Sequence, residues 1–235
     1  MSPIENLNCQ NCKVRNQSIF DGLSILEMNL LEQIKSRFSI KKGESLFLEG
    51  VFPKGLYCLN KGKIKLSQTG FDGKEQIVHL AHEGDILGYR ALFGEDQYSC
   101  SATSIEDSNV CFIPKKLFYD FVKNNAKLLF KIANLLSEEL KQAERKITTT
   151  AQQPVKDRIA QCILLLIKNY GYEKDNSTLN IIIKRQEIAS LSGTTRETAT
   201  RILYQFKSDK IIDLLGKKIK ILDLNKLSNL ANNMS

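Results

Sequence analysis

Arg196, Glu197, Thr200 and Arg201 recur at helical spacing, and side chains of these types are equipped to read base edges. A guanidinium donates paired hydrogen bonds to guanine O6 and N7, while a carboxylate accepts from the cytosine amine. The opposite edge carries Ala199, Ile202, Leu203 and Phe206, an apolar stripe that predicts burial. Thr195 stands ahead of them as an N-cap, and Gly193 supplies a tight turn. A shorter helix before that turn buries Ile188 and Leu191. Residues 185–207 therefore predict two helices joined by a glycine turn, with the second helix shaped for the major groove of duplex DNA. A solvated, ordinarily charged helix face is the alternative reading, and the turn chemistry and charge placement together argue against it.

Other chemistry is sparse. The chain has no phosphate-binding glycine loop, nucleophile elbow, paired-histidine metal motif or dinucleotide fingerprint, so it does not read as an enzyme. Its two histidines, His79 and His82, sit at a strand end and a turn and read as surface residues. Six cysteines (9, 12, 58, 100, 111 and 162) include a Cys9-x2-Cys12 pair, a weak metal signal when it stands alone.

Charge is distributed unevenly. Residues 1–147 hold 20 Lys+Arg against 18 Asp+Glu, a balance of +2, whereas residues 148–235 hold 14 against 8, a balance of +6. A polyanion partner therefore belongs with the shorter C-terminal part. No apolar run reaches membrane-spanning length, and no basic amphipathic helix dominates, so a membrane partner is not expected. The first residues lack the basic region and apolar core of a signal peptide, which predicts a cytoplasmic protein with reduced thiols.

The remaining elements must hold the reading helix in place. Ser24 and Glu27 form a capping box that predicts a helix over 24–38, with Leu26, Leu30 or Leu31, and Ile34 facing inward. Nine of the 13 glycines fall between positions 43 and 94, punctuating short strands such as 45–48, 63–67 and 76–80, the texture of an all-β roll. Gly70-Phe-Asp-Gly73 reads as a hairpin turn. A short helix over 115–123 buries Leu117, Phe118 and Phe121, and a longer one follows to about residue 147. Along it Leu129, Ile132, Leu136, Leu140, Ala143 and Ile147 recur at steps of three and four, a coiled-coil-like seam. That stripe could instead pack on the β-roll of its own chain. Residues 148–154 predict a hinge, 155–169 a helix, 181–183 a strand, and 211–215 with 218–222 a wing hairpin about Gly216 and Lys217.

Arg185-Gln-Glu-Ile, Gly193, Arg196-Glu-Thr and Arg201-Ile-Leu together resemble the winged helix-turn-helix of the Crp/Fnr transcription regulators. The resemblance covers nearly the whole chain and is strongest to the branch found in Bacteroidetes. It implies an α+β protein: an N-terminal β-roll of the cyclic-nucleotide-binding type, a long dimerisation helix and a C-terminal winged helix-turn-helix. The corresponding boundaries are a tail over 1–18, an effector domain over 19–125, the dimer helix over 126–147 and the DNA-binding domain over 148–228. By resemblance, Arg196, Glu197 and Arg201 read bases with Thr200 tuning the choice, while Arg185, Gln186, Thr195, Lys217 and Lys218 hold phosphates. The implied partners are double-stranded DNA, a second copy of the chain and RNA polymerase.

Gly43-Glu44, Gly62, Gly84-Asp85, Gly88 and Ala91-Leu-Phe93 stand where the cyclic-nucleotide fold has its turns. Nucleotide-binding members hold the ribose with a carboxylate after a glycine and the phosphate with an Arg before Ser or Thr. This chain has Gly88-Tyr89 and Tyr98-Ser99 at those places, losing the buried charge that offsets phosphate desolvation. Arg90 is the nearest substitute, but an adjacent strand residue would point to the opposite face. Cyclic AMP is therefore not expected as the effector, although a different ligand in a remodelled pocket stays open.

The tail offers a second sensing route. Cys9 and Cys12 resemble the start of the iron–sulfur cysteine set of the oxygen-sensing branch, and Cys111 falls where that branch places its β-roll ligand. The remaining cysteine of that pattern is Ser18 here. The possible cofactor is a metal or an iron–sulfur cluster, which normally takes four cysteines; free structural thiols are the alternative. The function expected is a homodimeric, sequence-specific DNA-binding regulator on a palindromic operator, controlled by a small ligand or redox signal other than classical cyclic AMP. The alternative is a ligand- or redox-sensing module that signals through protein partners.

Overall fold

The computed structural model describes residues 2–3, 9–71, 73–94 and 96–232. It divides into two compact units, residues 1–140 and 141–235.

In the first unit the capping box forms as expected. Glu27 N donates to Ser24 Oγ at 3.3 Å and Ser24 N donates to Glu27 Oε2 at 2.7 Å. Helix α1, however, is only Ile25–Ile34, because the chain turns extended at Lys35 and enters a strand at Ser36. Leu31 is buried with Met28 and Ile34 packs against the same core, as expected, whereas Leu26 is exposed, as is Leu30, the alternative to Leu31. The strands after Ser2–Pro3 (β1) are Ser36–Ile40 (β2), Ser45–Phe47 (β3), Gly55–Lys61 (β4), Ile64–Thr69 (β5), Glu75–Ala81 (β6) and Ile86–Leu87 (β7). Helix α2, Tyr89–Gly94, precedes Ser101–Ser104 (β8) and Ser108–Pro114 (β9).

Among the described residues these strands form two antiparallel sheets, ordered β1-β2-β9-β4-β7 and β3-β8-β5-β6. Alternation along β4 decides what lies on each side. Tyr57 and Leu59 join Leu46, Ile64, Leu66, Ala102 and Val110 in the core between the sheets. Leu56 and Cys58 face the other way, toward a second core with Leu31, Leu92, Phe118, Leu128 and Ile132. The Gly70–Gly73 turn closes with Gly73 N donating to the Gly70 carbonyl, although Asp72 lies outside the described residues.

Helix α3, Lys115–Lys123, buries Phe118, Phe121 and Val122, with Leu117 left on the exposed side. Helix α4 is Ala126–Gln152 and runs through most of the segment expected to be a hinge, leaving only Gln153 and Pro154 between helices. Proline lacks the amide that would continue the ladder, so the break falls there. Leu128 and Ile132 are buried on α4, whereas Leu140 and Ile147 are 62% and 71% exposed.

The second unit contains α5 (Val155–Tyr170), α6 (Arg185–Ser192), α7 (Arg196–Ser208), the hairpin β10 (Ile212–Leu215) and β11 (Lys218–Ile221), and α8 (Leu224–Asn232). Its core draws Ile159, Ile163 and Leu166 from α5, Ile188 from α6, and the whole expected stripe Ala199, Ile202, Leu203 and Phe206 from α7. The expected strand over 181–183 is absent. Ile181 and Ile183 are buried and Ile182 is exposed, as alternation requires, but the backbone bridges form at Tyr172–Leu179 and Thr178–Lys220 instead.

Candidate nucleic-acid interface and thiol pocket

Local chemistry builds the reading head. Gly193 ends α6 with φ 61° and ψ 49°, the left-handed conformation that costs a side chain about 1 kcal/mol or more. The chain then re-enters helix at Thr195, whose Oγ1 accepts from Thr198 N at 3.2 Å. Burial of the α7 stripe fixes the rotation of the helix about its axis. Arg196, Glu197 and Arg201 are consequently exposed, and Thr200 is half-buried. The Thr200 hydroxyl donates to the Arg196 carbonyl at 2.7 Å, so its methyl group and its oxygen lone pairs, as acceptors, are what it can offer a ligand.

At the start of α6, Gln186 is exposed while Arg185 is half-buried. Arg185 Nη2 donates to the Gly216 carbonyl at 3.3 Å, tying α6 to the wing turn, and burial lowers the pKa of its guanidinium. Lys217 is exposed at the wing tip. Lys218 pairs with Glu173 at 2.7 Å, and Lys220 lies 3.8 Å from Asp175. Those two acids escaped the sequence reading, because their loop meets the wing through tertiary contacts, the isolated bridge at Thr178–Lys220 and these ion pairs, rather than through a regular strand. Arg158 escaped it too. Its guanidinium donates to the Thr150 carbonyl at 3.0 Å and the Gly193 carbonyl at 3.4 Å, bracing the glycine turn.

The residues expected in the effector pocket are arranged differently from a strand. Gly88, at φ +86°, turns the chain out of β7, so Tyr89 and Arg90 lie in helix α2. Tyr89 and Leu92 are buried one helical turn apart, which the expectation of a strand at this point missed. Arg90 Nε donates to Glu139 Oε2 at 2.8 Å. Tyr98 is buried and stacks on Phe47 with ring centroids 3.9 Å apart, near Tyr57, which also packs on Phe112. A Cβ at Gly88 would lie 3.2 Å from Tyr98 Cε1, so this ring sits directly against the turn. Burial raises the pKa of both phenols: Tyr98 through burial and then Tyr57, Tyr89 through burial and then Glu139. Ser99 sits beside this cluster, its carbonyl accepting from Gln68. His79 and His82 both reach Asp85, at 3.8 and 3.5 Å, a convergence that the sequence reading did not expect.

The expected cysteines come together. Cys9, Cys12 and Cys111 line one apolar cavity of about 50 Å³, and Cys58 lines it as well. Lys35 Nζ donates to Cys9 Sγ at 2.7 Å, and Asn60 Nδ2 donates to Cys12 Sγ at 3.4 Å. Glu32 accepts from the Cys9 amide at 2.7 Å and also pairs with Lys35 and Arg37, fastening the tail to α1. Burial pushes the Cys58 thiol well up, with Cys111 adding to the effect and Lys35 opposing it. Cys111 is also raised by burial, against Lys35 and Arg37. Ser18 borders the cavity, but its hydroxyl donates to the Arg15 carbonyl at 2.7 Å and accepts from the Phe20 amide. Among the described residues no three ligating side chains stand close enough to hold an ion as they are. Four cysteines line this apolar space, donors of a kind that thiophilic metals take, but they are not gathered about one point.

A β-roll of the cyclic-nucleotide-binding type and a winged helix-turn-helix define a DNA-binding transcription regulator. Residues 37–125 match the cyclic nucleotide-binding domain, and residues 157–230 match the Crp-like helix-turn-helix domain. The chain is 30% identical over 227 residues to the fumarate and nitrate reduction regulatory protein of Vibrio cholerae, covering 96% of this chain and 90% of that one. It is also 30% identical over 227 residues to the anaerobic regulatory protein of Haemophilus influenzae, covering 96% and 88%. A Crp/Fnr-family transcriptional regulator of known structure from Thermus thermophilus aligns with a TM-score of 0.73 at 26% identity, covering 85% of this chain and all of that one. The chain belongs to the Crp/Fnr family of transcription regulators. Among the described residues no helix is long and apolar enough to cross a membrane.

Proposed function

We propose that two copies of the chain bind a two-fold symmetric DNA operator, each presenting α7 to one major groove. The observation that carries this reading is α7 itself: one edge is buried in the domain while Arg196, Glu197 and Arg201 are exposed along the other. Those three side chains read base edges and Thr200 adds a methyl contact. Arg185, Gln186, Thr195, Lys217 and Lys218 fix the register on phosphates. The exposed Leu140 and Ile147, seven residues apart on α4, form the subunit seam with Leu129, Leu136 and Ala143, while Ile132, expected in the same seam, is buried in the core of its own chain. The functional divisions are then the tail over 1–18, the effector domain over 19–125, the dimer helix from 126 and the DNA-binding domain to 228. RNA polymerase is the further partner, and the cytoplasm the place of action. Gel-shift titration tests the base contacts: Arg201→Ala should cost about 1–3 kcal/mol on a specific site and little on random DNA.

Control comes through the first unit by a signal other than classical cyclic AMP. Cys9, Cys12 and Cys111 form a redox- or metal-responsive site, supported by the cavity that they share. When bound there, a metal ion or an iron–sulfur cluster supplies an oxidation-sensitive tether between tail and roll. Cys9 and Cys12 hold the tail end of that tether and Cys111 the β9 end. Lys35, beside Cys9, opposes the rise that burial imposes on the Cys58 and Cys111 thiols.

A further inference from the structure

We infer that Tyr204 is a further DNA-contacting residue of α7: together with Arg185 it holds one backbone phosphate in each half-site. The inference rests on the reading of α7 as the DNA-reading helix given above.

Helical geometry carries the first part of the argument. Successive residues turn by about 100° about a helix axis, so the buried stripe of Ala199, Ile202, Leu203 and Phe206 spans about 240–340° when counted from Arg196. Thr200 then stands at about 40°, Glu197 at about 100° and Arg201 at about 140°. Tyr204 falls at about 80°, in the middle of that arc, and is 61% exposed. It lies about 12 Å along the axis from Arg196, in the third turn of the helix. In helix-turn-helix motifs the base edges are met by the N-terminal residues of the second helix. A side chain so far along the same face meets the sugar–phosphate backbone instead, as the C-terminal end of a homeodomain's third helix does. Lys207, at about 20°, is the next residue on that side, but it is paired with Asp213 at 2.8 Å.

The neighbouring charge carries the second part. Arg185 opens α6, and its Nη2 donates to the Gly216 carbonyl at 3.3 Å, which fixes the guanidinium beside the wing turn. Its Nη1 is buried with no hydrogen-bond partner among the described residues. A buried donor in that state is costly, and an arriving phosphate oxygen would satisfy it. Tyr204 belongs to the same corner: burial lowers the Arg185 pKa, and the charge interaction that opposes this comes from Tyr204. The Tyr204 hydroxyl is an O–H donor on a rigid aromatic body. A phosphate oxygen between the two takes a hydrogen bond from each, the one from Arg185 being charge-assisted. Tyrosine hydroxyls are among the groups that make such positioning contacts on DNA. The phenol is neutral, so it adds hold on the strand without displacing a counterion of its own.

The test uses the full chain and the operator that it selects from random duplex DNA, with affinity read by fluorescence anisotropy at several salt concentrations. Tyr204→Phe keeps the exposed ring and removes only the donor, so it should retain the circular dichroism and thermal unfolding of the parent. Its operator affinity should fall about three- to tenfold. The salt slope should stay that of the parent, because a neutral hydroxyl displaces no counterion. The bases enriched in selection should also be unchanged. Single phosphates of the operator are then replaced by neutral methylphosphonates. One phosphate in each half-site should cost the parent more than it costs Tyr204→Phe, the coupling expected of two groups in contact. Tyr204→Phe with parent affinity overturns the inference, as does a loss that couples to no phosphate. Base preference relaxed at one position overturns it in favour of a base contact. A parent chain that enriches no site overturns the α7 reading itself, and this inference with it.

Discussion

Arg90 on α2 donates to Glu139 on α4 at 2.8 Å, so the guanidinium that follows the effector turn is already committed to a carboxylate. A cyclic phosphate would have to compete with that pair for Arg90. It would also meet the buried ring of Tyr98, stacked on Phe47, at the position where a phosphate anchor is expected. The ring offers no positive charge to offset desolvation of the phosphate.

Calorimetry with cyclic AMP and with cyclic GMP should accordingly show no heat at micromolar concentrations, where an Arg-anchored site would respond. A stoichiometric heat would contradict this, and Arg90→Ala would then be the variant to examine.

The exposed seam on α4 predicts a monomeric variant that still folds. Leu140 and Ile147 make little use of their own chain's core, so replacing both with Lys should leave thermal unfolding nearly unchanged. In a dimer each would otherwise contribute about 1.5–3 kcal/mol of apolar burial, and paired lysines would add repulsion. Sedimentation should show a monomer with weakened operator binding, because two linked contacts become one. A variant that sediments as a dimer would place the seam elsewhere.

The acids behind the wing restrain its lysines. Removing the charge of Glu173 by Glu173→Gln frees Lys218 for phosphate, since the two pair at 2.7 Å. A partly exposed pair of this kind is worth at most about 1 kcal/mol, so affinity for all DNA should rise by no more than roughly fivefold. The salt dependence should steepen by up to about one counterion. Unchanged affinity and slope would show that Lys218 does not contact DNA.

The reading head was legible in the sequence because its determinants are local. Gly193, the Thr195 cap and the α7 stripe act within one or two helical turns, and each is found where its residue type requires. The wing hairpin followed from Gly216 and its flanking apolar residues in the same way. What depended on tertiary pairing was not legible. Residues 181–183 alternate correctly yet find no ladder, and α1 stops at Ile34 because β2 claims the following residues for its pairing with β9. Arg90 was misjudged because Gly88 redirects the chain into helix, a turn that periodicity alone does not reveal. Glu173 was overlooked because it meets Lys218 across a long gap in sequence that only the fold closes.

The central claim is sequence-specific recognition by paired α7 helices, and selection of bound sites from random duplex DNA tests it most directly. The account predicts an enriched two-fold symmetric motif, with half-sites centred about one helical turn, roughly 34 Å, apart. The same selection with Arg201→Ala should return that spacing with discrimination relaxed at one position in each half-site. A pool with no enriched half-site, or an identical motif from Arg201→Ala, would contradict it.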